Sequence, residues 1–271
     1  QFPSWDSSGN AVYWTLGKTL FRYDILKAKQ VEKLKKAEEI AHENENKTTS
    51  SSNEGDNIIE EYRASEKDII VKMQRAMPSG YLALTNATLI TMSGGEVIND
   101  GIIILKNNRI EKVGKSNEIE LPKDVREINL EGKFIVPGFV DTHAHLRPAW
   151  GLHKNSVWSY AANLAYGVTT TRDPQTGTTD VLTYADMVVA GIIPGPRIYS
   201  TGPGLGYWGY NIKSLDHARD VLMQYSKYYN TKTIKMYLTG NRQHRQWIIQ
   251  AAKEQKLMPT TEGGLDFKLN I

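Results

Sequence analysis

The chain has 271 residues, of which 40% are apolar, 23% charged and 9% aromatic, a profile that excludes collagen-like and wholly disordered classes. Lys plus Arg number 33 against 30 Asp plus Glu, a net charge of +3, so there is no basic excess to favour a nucleic-acid partner. Cysteine is absent, which removes disulfides, thiolate metal sites and cysteine nucleophiles together; a metal here must be held by His, carboxylate or an oxygen derived from Lys.

Three textures follow one another along the chain. Residues 1–25 carry aromatic-rich strand signals, Ala11-Val12-Tyr13-Trp14-Thr15 and Lys18-Thr19-Leu20-Phe21-Arg22-Tyr23, with Ser8-Gly9-Asn10 before the first and Gly17 between them. This reads as a β-hairpin, and since a hairpin alone is marginal in water it is expected to belong to a larger sheet. Over 26–57 the pattern turns helical, with Val31, Leu34, Ala37, Ile40 and Ala41 recurring among Lys and Glu, and then becomes polar and low in complexity at Lys47–Gly55; a solvated helical or disordered insertion is expected. A strand-like pattern returns at 67–73, and Pro78-Ser79-Gly80 punctuates the boundary.

From residue 81 the spacing predicts a small all-β unit with strands over 82–91, 101–106, 109–113, 125–130 and 134–136, and turns at Gly94-Gly95, Asn107-Asn108 and Gly132. After Pro137-Gly138 strands and helices alternate. Strands are predicted over 139–142, 168–172, 197–200, 233–238 and 257–260, and helices over 156–166, 180–190, 215–228 and 242–255. Such alternation with apolar strands predicts a parallel sheet. An eight-fold barrel takes about 250 residues, so 139–271 holds about half of one. A doubly wound open sheet is the alternative, but no Gly-rich phosphate loop follows the first strand. No apolar run approaches the roughly 20 residues that cross a bilayer.

The sharpest motif is Pro137-Gly138-Phe139-Val140-Asp141-Thr142-His143-Ala144-His145. Residues two apart in a strand share a face, so His143 and His145 can offer two imidazoles to one metal at the carboxyl end of the first parallel strand, where barrel enzymes place their sites. Two unrelated histidines are the plainer reading of the same pair. A jelly-roll metal site, which wants a carboxylate soon after its HxH pair, is rejected: Leu146-Arg147-Pro148-Ala149-Trp150 follows. Asp173, after Thr169-Thr170-Thr171-Arg172, ends the second strand and could position substrate or a ligand histidine, or pair with an arginine such as Arg172. The Gly-rich aromatic run 202–210 is either a pocket cover or packing. His153, His217 and His244 read as surface histidines.

These motifs resemble the amidohydrolase superfamily of metal-dependent hydrolases. The resemblance runs over residues 81–271 through Asn86-Ala87-Thr88-Leu89-Ile90, Asp100-Gly101, Asn108-Arg109-Ile110, Val113-Gly114, Ile128-Asn129-Leu130-Glu131-Gly132-Lys133, Ile135-Val136-Pro137-Gly138 and the HxH segment. It implies an α/β fold, a partial TIM-type (β/α)8 barrel (138–271, its first half) preceded by a small β-sandwich unit (78–137). It further implies a divalent metal, zinc by default with Mn or Fe as alternatives, one or two ions, held by His143 and His145. Lys235, in Thr233-Ile234-Lys235-Met236-Tyr237, matches the strand-four lysine that the family often carboxylates; a neutral or ion-paired residue at a strand end is the other reading. Where the family usually has a strand-five histidine, this chain has Met258-Pro259-Thr260-Thr261-Glu262. Glu262 then becomes an oxygen-ligand candidate, or else a loop or cap carboxylate.

The implied reaction is hydrolysis of a C–N bond in an amide, cyclic amide or peptide-like small substrate by metal-activated water. The family's strand-six histidine and strand-eight aspartate have no counterpart in these 271 residues, so no catalytic base is expected in this chain, which begins with Gln and is read as a fragment. Residues Pro3-Ser4-Trp5-Asp6-Ser7-Ser8-Gly9-Asn10 are similar to a TolB-type β-propeller repeat, which implies that 1–77 is the end of a propeller carrying the 26–57 insertion, and a secreted or periplasmic location. The competing class is a non-catalytic propeller and barrel interaction protein that keeps the fold without the chemistry.

Overall fold

The computed structural model describes residues 3–45, 61–206 and 209–261. They fall into two compact units, one from 1–72, 206–232 and 238–271, the other from 73–205 and 233–237. The low-complexity stretch 47–55, Glu262 and the Tyr207-Trp208 part of the aromatic run lie outside the described residues. No helix among the described residues is long and apolar enough to cross a membrane.

In chain order the elements begin with β1 (Ser4–Trp5), β2 (Ala11–Leu16), β3 (Thr19–Asp24), α1 (Ile25–Glu45) and β4 (Ser65–Asp68). These strands form one antiparallel sheet in the order β1-β2-β3-β4, the larger sheet that the hairpin required. Asp6 builds the first turn by accepting the N–H groups of Asn10 (2.8 Å) and Ala11 (3.2 Å). The fourth strand sits earlier than the apolar run 67–73 predicts. Its register is set by polar groups: Asp68 pairs with Lys18 Nζ at 2.7 Å and accepts from Thr19 Oγ1 at 2.7 Å, while Ile70 and Val71 beyond it stay exposed.

The second unit begins with β5 (Tyr81–Ile90), β6 (Val97–Lys106), β7 (Arg109–Lys115), β8 (Arg126–Asn129) and β9 (Phe134–Ile135). The order is β7-β6-β5-β8, and β9 also pairs with β5. Ala87, Leu89, Ile98 and Ile103 form its core. Then come β10 (Phe139–Asp141), α2 (Trp158–Ala165), β11 (Val168–Asp173), α3 (Asp180–Val189) and β12 (Arg197–Ser200). Here β10, β11 and β12 are parallel neighbours in that order, as right-handed strand–helix–strand units require. Tyr160 of α2 and Val181 and Tyr184 of α3 pack with Ala144, Leu146, Ile193 and Ile198 in a second core.

The remaining elements are α4 (Leu215–Met223), β13 (Thr233–Met236), α5 (Arg242–Glu254) and β14 (Met258–Thr261). A parallel bridge pairs Met236 of β13 with Leu205, beyond the end of β12. The helix predicted over 215–228 changes character at Gln224: residues Gln224–Tyr229 form a π-turn that ends at Asn230 with φ 53°. Its wider turn buries Tyr225 and Tyr229, and leaves Lys227 Nζ 2.9 Å from Glu66 and the Tyr228 hydroxyl donating to Glu66 at 2.8 Å. Phe21 meets the Tyr228 ring edge-on at 5.1 Å. In the two-residue turn of the hairpin, Gly17 has φ 55°, and a Cβ there would lie 2.0 Å from the Tyr228 carbonyl oxygen.

The approach of β10 to β11 is equally close. A Cβ on Gly138 would lie 2.1 Å from Thr169 Oγ1 and 2.8 Å from Thr169 Cβ, so β10 sits where it does only because residue 138 has no side chain. Gly138→Ala is expected to destabilise the protein by about 1–3 kcal/mol, the range for overpacking; the urea midpoint checks this, and an unchanged midpoint contradicts the close packing.

Candidate metal centre

Strand β10 ends at Asp141, short of the predicted 139–142. Asp141 Oδ1 takes the His143 N–H at 2.9 Å, and a side chain that captures a backbone donor two residues on draws the chain out of a ladder. His143 and His145 therefore follow the strand, past its carboxyl end. Their shared outward direction nevertheless survives. Ala144 N–H donates to the Arg172 carbonyl at 2.9 Å, and Leu146 N–H donates to Asp173 Oδ2 at 3.2 Å. Those two bonds hold the segment against the end of β11, with Ala144 and Leu146 buried and His143 and His145 exposed. The imidazole centroids are 5.1 Å apart at an interplanar angle of 73°.

Asp173 underlies this arrangement. It ends β11 and is 1% exposed. Burial pushes its carboxyl above the ordinary carboxylate value, opposed by the hydrogen bonds from Leu146 and Gln175 and by the neighbouring His145. Its Oδ1 accepts the Gln175 N–H at 3.3 Å and lies 3.9 Å from His145 Nδ1. Of the two sequence readings for Asp173, the geometry favours orientation of a histidine. A carboxylate behind a histidine fixes its ring and raises its basicity as a ligand.

Lys235 is the third residue of β13 and is 1% exposed between buried Ile234 and Met236. Its carbonyl accepts the Leu205 N–H at 2.8 Å. Asp173 ends β11 and the histidine pair follows β10, so both lie at the carboxyl ends of neighbouring parallel strands, while Lys235 lies beside Leu205, beyond the end of β12. Glu262 lies outside the described residues. His153, His217 and His244 have partners of their own. The His217 and His244 N–H groups are capped by Ser214 and Asn241, each at 3.1 Å. His153 Nε2 lies 2.8 Å from Asp180 Oδ1, a pairing across 27 residues that no sequence spacing announces.

The donor set fits a divalent metal in part. With Zn–N bonds of about 2.0–2.1 Å, two imidazoles that share a tetrahedral ion have centroids about 5 Å apart, and the observed separation meets that. No group of three or more His, Asp or Glu that could hold a metal occurs among the described residues, so further donors would have to come from Lys235 as a carbamate or from outside the described set.

No family model matches the chain. Among curated proteins, imidazolonepropionase of Vibrio cholerae is 36% identical over 67 residues, covering 23% of this chain and 16% of that protein. A 5-methylthioadenosine/S-adenosylhomocysteine deaminase of Bacillus cereus is 44% identical over 63 residues, 22% of this chain and 14% of that protein. Dihydroorotase of Macrococcus caseolyticus is 38% identical over 93 residues, 33% and 22%. Among solved structures, a Bifidobacterium longum protein described as a prolidase superposes with TM-score 0.57 at 24% identity, over 69% of this chain and 50% of that one. Molinate hydrolase superposes with TM-score 0.57 at 18% identity, over 68% and 54%. The matches thus span less than a quarter of each curated relative and about half of each solved chain. They support the resemblance to the amidohydrolase superfamily and a mixed α/β fold like that of these hydrolases.

The raised Asp173 value has a definite sign. The unfolded chain releases the proton near 3.8 and the folded protein at higher pH, so the folded state holds more protons in between and stability falls as pH rises through that window. Stability of the metal-free protein is expected to decline as pH rises from about 3.8, and Asp173→Asn is expected to flatten that decline. Urea denaturation across pH checks this, and an identical slope in both proteins contradicts it.

Proposed function

We propose that this chain is part of a metal-dependent amidohydrolase that hydrolyses a C–N bond in an amide, cyclic amide or peptide-like small molecule. The observation that carries the reading is the His143–His145 pair, 5.1 Å between centroids, presented outward on a segment fastened to buried Asp173. The short matches to an imidazolonepropionase, a deaminase and a dihydroorotase support the same reaction class.

In this reading His143 and His145 hold a divalent ion, zinc by default, and Asp173 keeps the His145 ring oriented. Lys235, buried among apolar neighbours, supplies an anionic oxygen as a carbamate, a form whose extra ligand atoms a protonated ammonium lacks; Glu262 adds an oxygen. The metal, when bound, supplies Lewis acidity toward water and the substrate carbonyl. The domain reading follows the same lines. Residues 78–137 are the small β unit and 138–271 the first half of the barrel. The antiparallel sheet β1–β4 has the four strands of a propeller blade, which supports 1–77 as the end of a TolB-type propeller.

Elemental analysis of the purified protein after zinc loading and gel filtration tests the reading. One or two zinc ions per chain are expected, with His143→Ala and His145→Ala each losing at least one and Lys235→Ala lowering occupancy. Absence of stoichiometric zinc, or full retention by both histidine variants, would sink the metal-dependent reading.

A further inference from the structure

We infer that His153 and Asp180 form a latch that fixes the segment bearing His143 and His145, which makes His153 a positioning residue for that pair. Its effect on metal binding rests on the reading of His143 and His145 as ligands; the latch itself does not.

The geometry joins two anchor points. Upstream, Asp173 takes the Leu146 N–H and faces His145. Downstream, His153 Nε2 lies 2.8 Å from Asp180 Oδ1, the first residue of α3. A carboxylate only accepts, so Nε2 carries the proton and donates. The His153 ring stands edge-on to Tyr184, one turn further along α3, with centroids 5.0 Å apart, and the Tyr184 hydroxyl accepts the Lys154 N–H at 2.8 Å. Tyr184 is itself fully buried, so this anchor is set in the core. Burial works against the charge on Asp180, but hydrogen bonds from Thr178 and His153 outweigh it and hold its carboxyl below the ordinary carboxylate value.

Between the anchors the chain turns back at Arg147 (φ 44°) and Gly151 (φ 74°). The Trp150 ring passes so near Gly177 that a Cβ there would lie 3.1 Å from it. Residues 146–154 are thus a loop pinned at both ends by the stretch from the end of β11 through α3. Loss of the His153–Asp180 bond leaves the downstream end of this loop to the Lys154–Tyr184 hydrogen bond, and a charge-assisted hydrogen bond is among the stronger single contacts that such a loop can lose.

Hydrogen exchange and cobalt spectroscopy on the whole chain test the proposal. In His153→Ala and in Asp180→Asn, which keeps the side-chain shape, the amides of 146–154 are expected to exchange about tenfold faster, as for the loss of one hydrogen bond to a charged group. The visible bands of the cobalt-loaded protein are expected to shift in both. His153→Gln, whose amide N–H can still reach Asp180, is expected to restore both readouts in large part, while His217→Ala changes neither. Unchanged exchange in both variants would overturn the latch. Faster exchange with an unchanged cobalt spectrum would overturn the positioning role. If the unaltered protein binds no cobalt, the metal reading and the positioning role fall together, and the exchange result alone decides the latch.

Discussion

A buried carboxylate without donors is among the more expensive things a fold can contain. Asp173 offsets part of that cost by taking the N–H groups of Leu146 and Gln175, and the first of these bonds holds the chain after β10. Together with the Ala144 bond to the Arg172 carbonyl, it ties residues 144–146 to the end of β11. Burial of Ala144 and Leu146 in the core with Tyr160 and Tyr184 then turns His143 and His145 outward. One buried acid therefore links backbone course, core packing and the presentation of two imidazoles, and it stands behind one of them at 3.9 Å.

The packing beneath this edge leaves little slack. Gly138 lets β10 lie against Thr169 of β11, and the bulge between Phe139 and Val140 shifts the register just before the histidine segment. Lys235 adds a second demand of the same kind as Asp173. It is 1% exposed on β13, between buried Ile234 and Met236. A buried acid on β11 and a buried lysine on β13 are what the proposed centre needs from the fold.

Much of this was legible in the residues. Strand β12 falls where its apolar pattern places it, and the alternation of strands and helices after residue 138 is observed in order through β14. Period-two alternation in a strand is the sequence argument for a shared face of His143 and His145, whereas the strand stops at Asp141 and hydrogen bonds to Asp141 and Asp173 hold the segment on which both are exposed. The misplacement of β4 has a similar cause, since an apolar run outweighed polar residues whose partners, Lys18 and Thr19, are far away in sequence. The π-turn after α4 depends on Glu66 and Phe21, and the His153–Asp180 pair on a loop folding back over 27 residues. Contacts of that range leave no local periodicity to read.

The central claim is that His143 and His145, held by Asp173, ligate one metal ion. X-ray absorption at the zinc edge of the zinc-loaded protein tests it most directly. The account predicts two imidazole nitrogens at about 2.0–2.1 Å with the remaining ligands oxygen, and loss of the imidazole scattering when both histidines are changed to alanine. A coordination shell made of oxygen alone, or an imidazole signal that survives the double change, would contradict it.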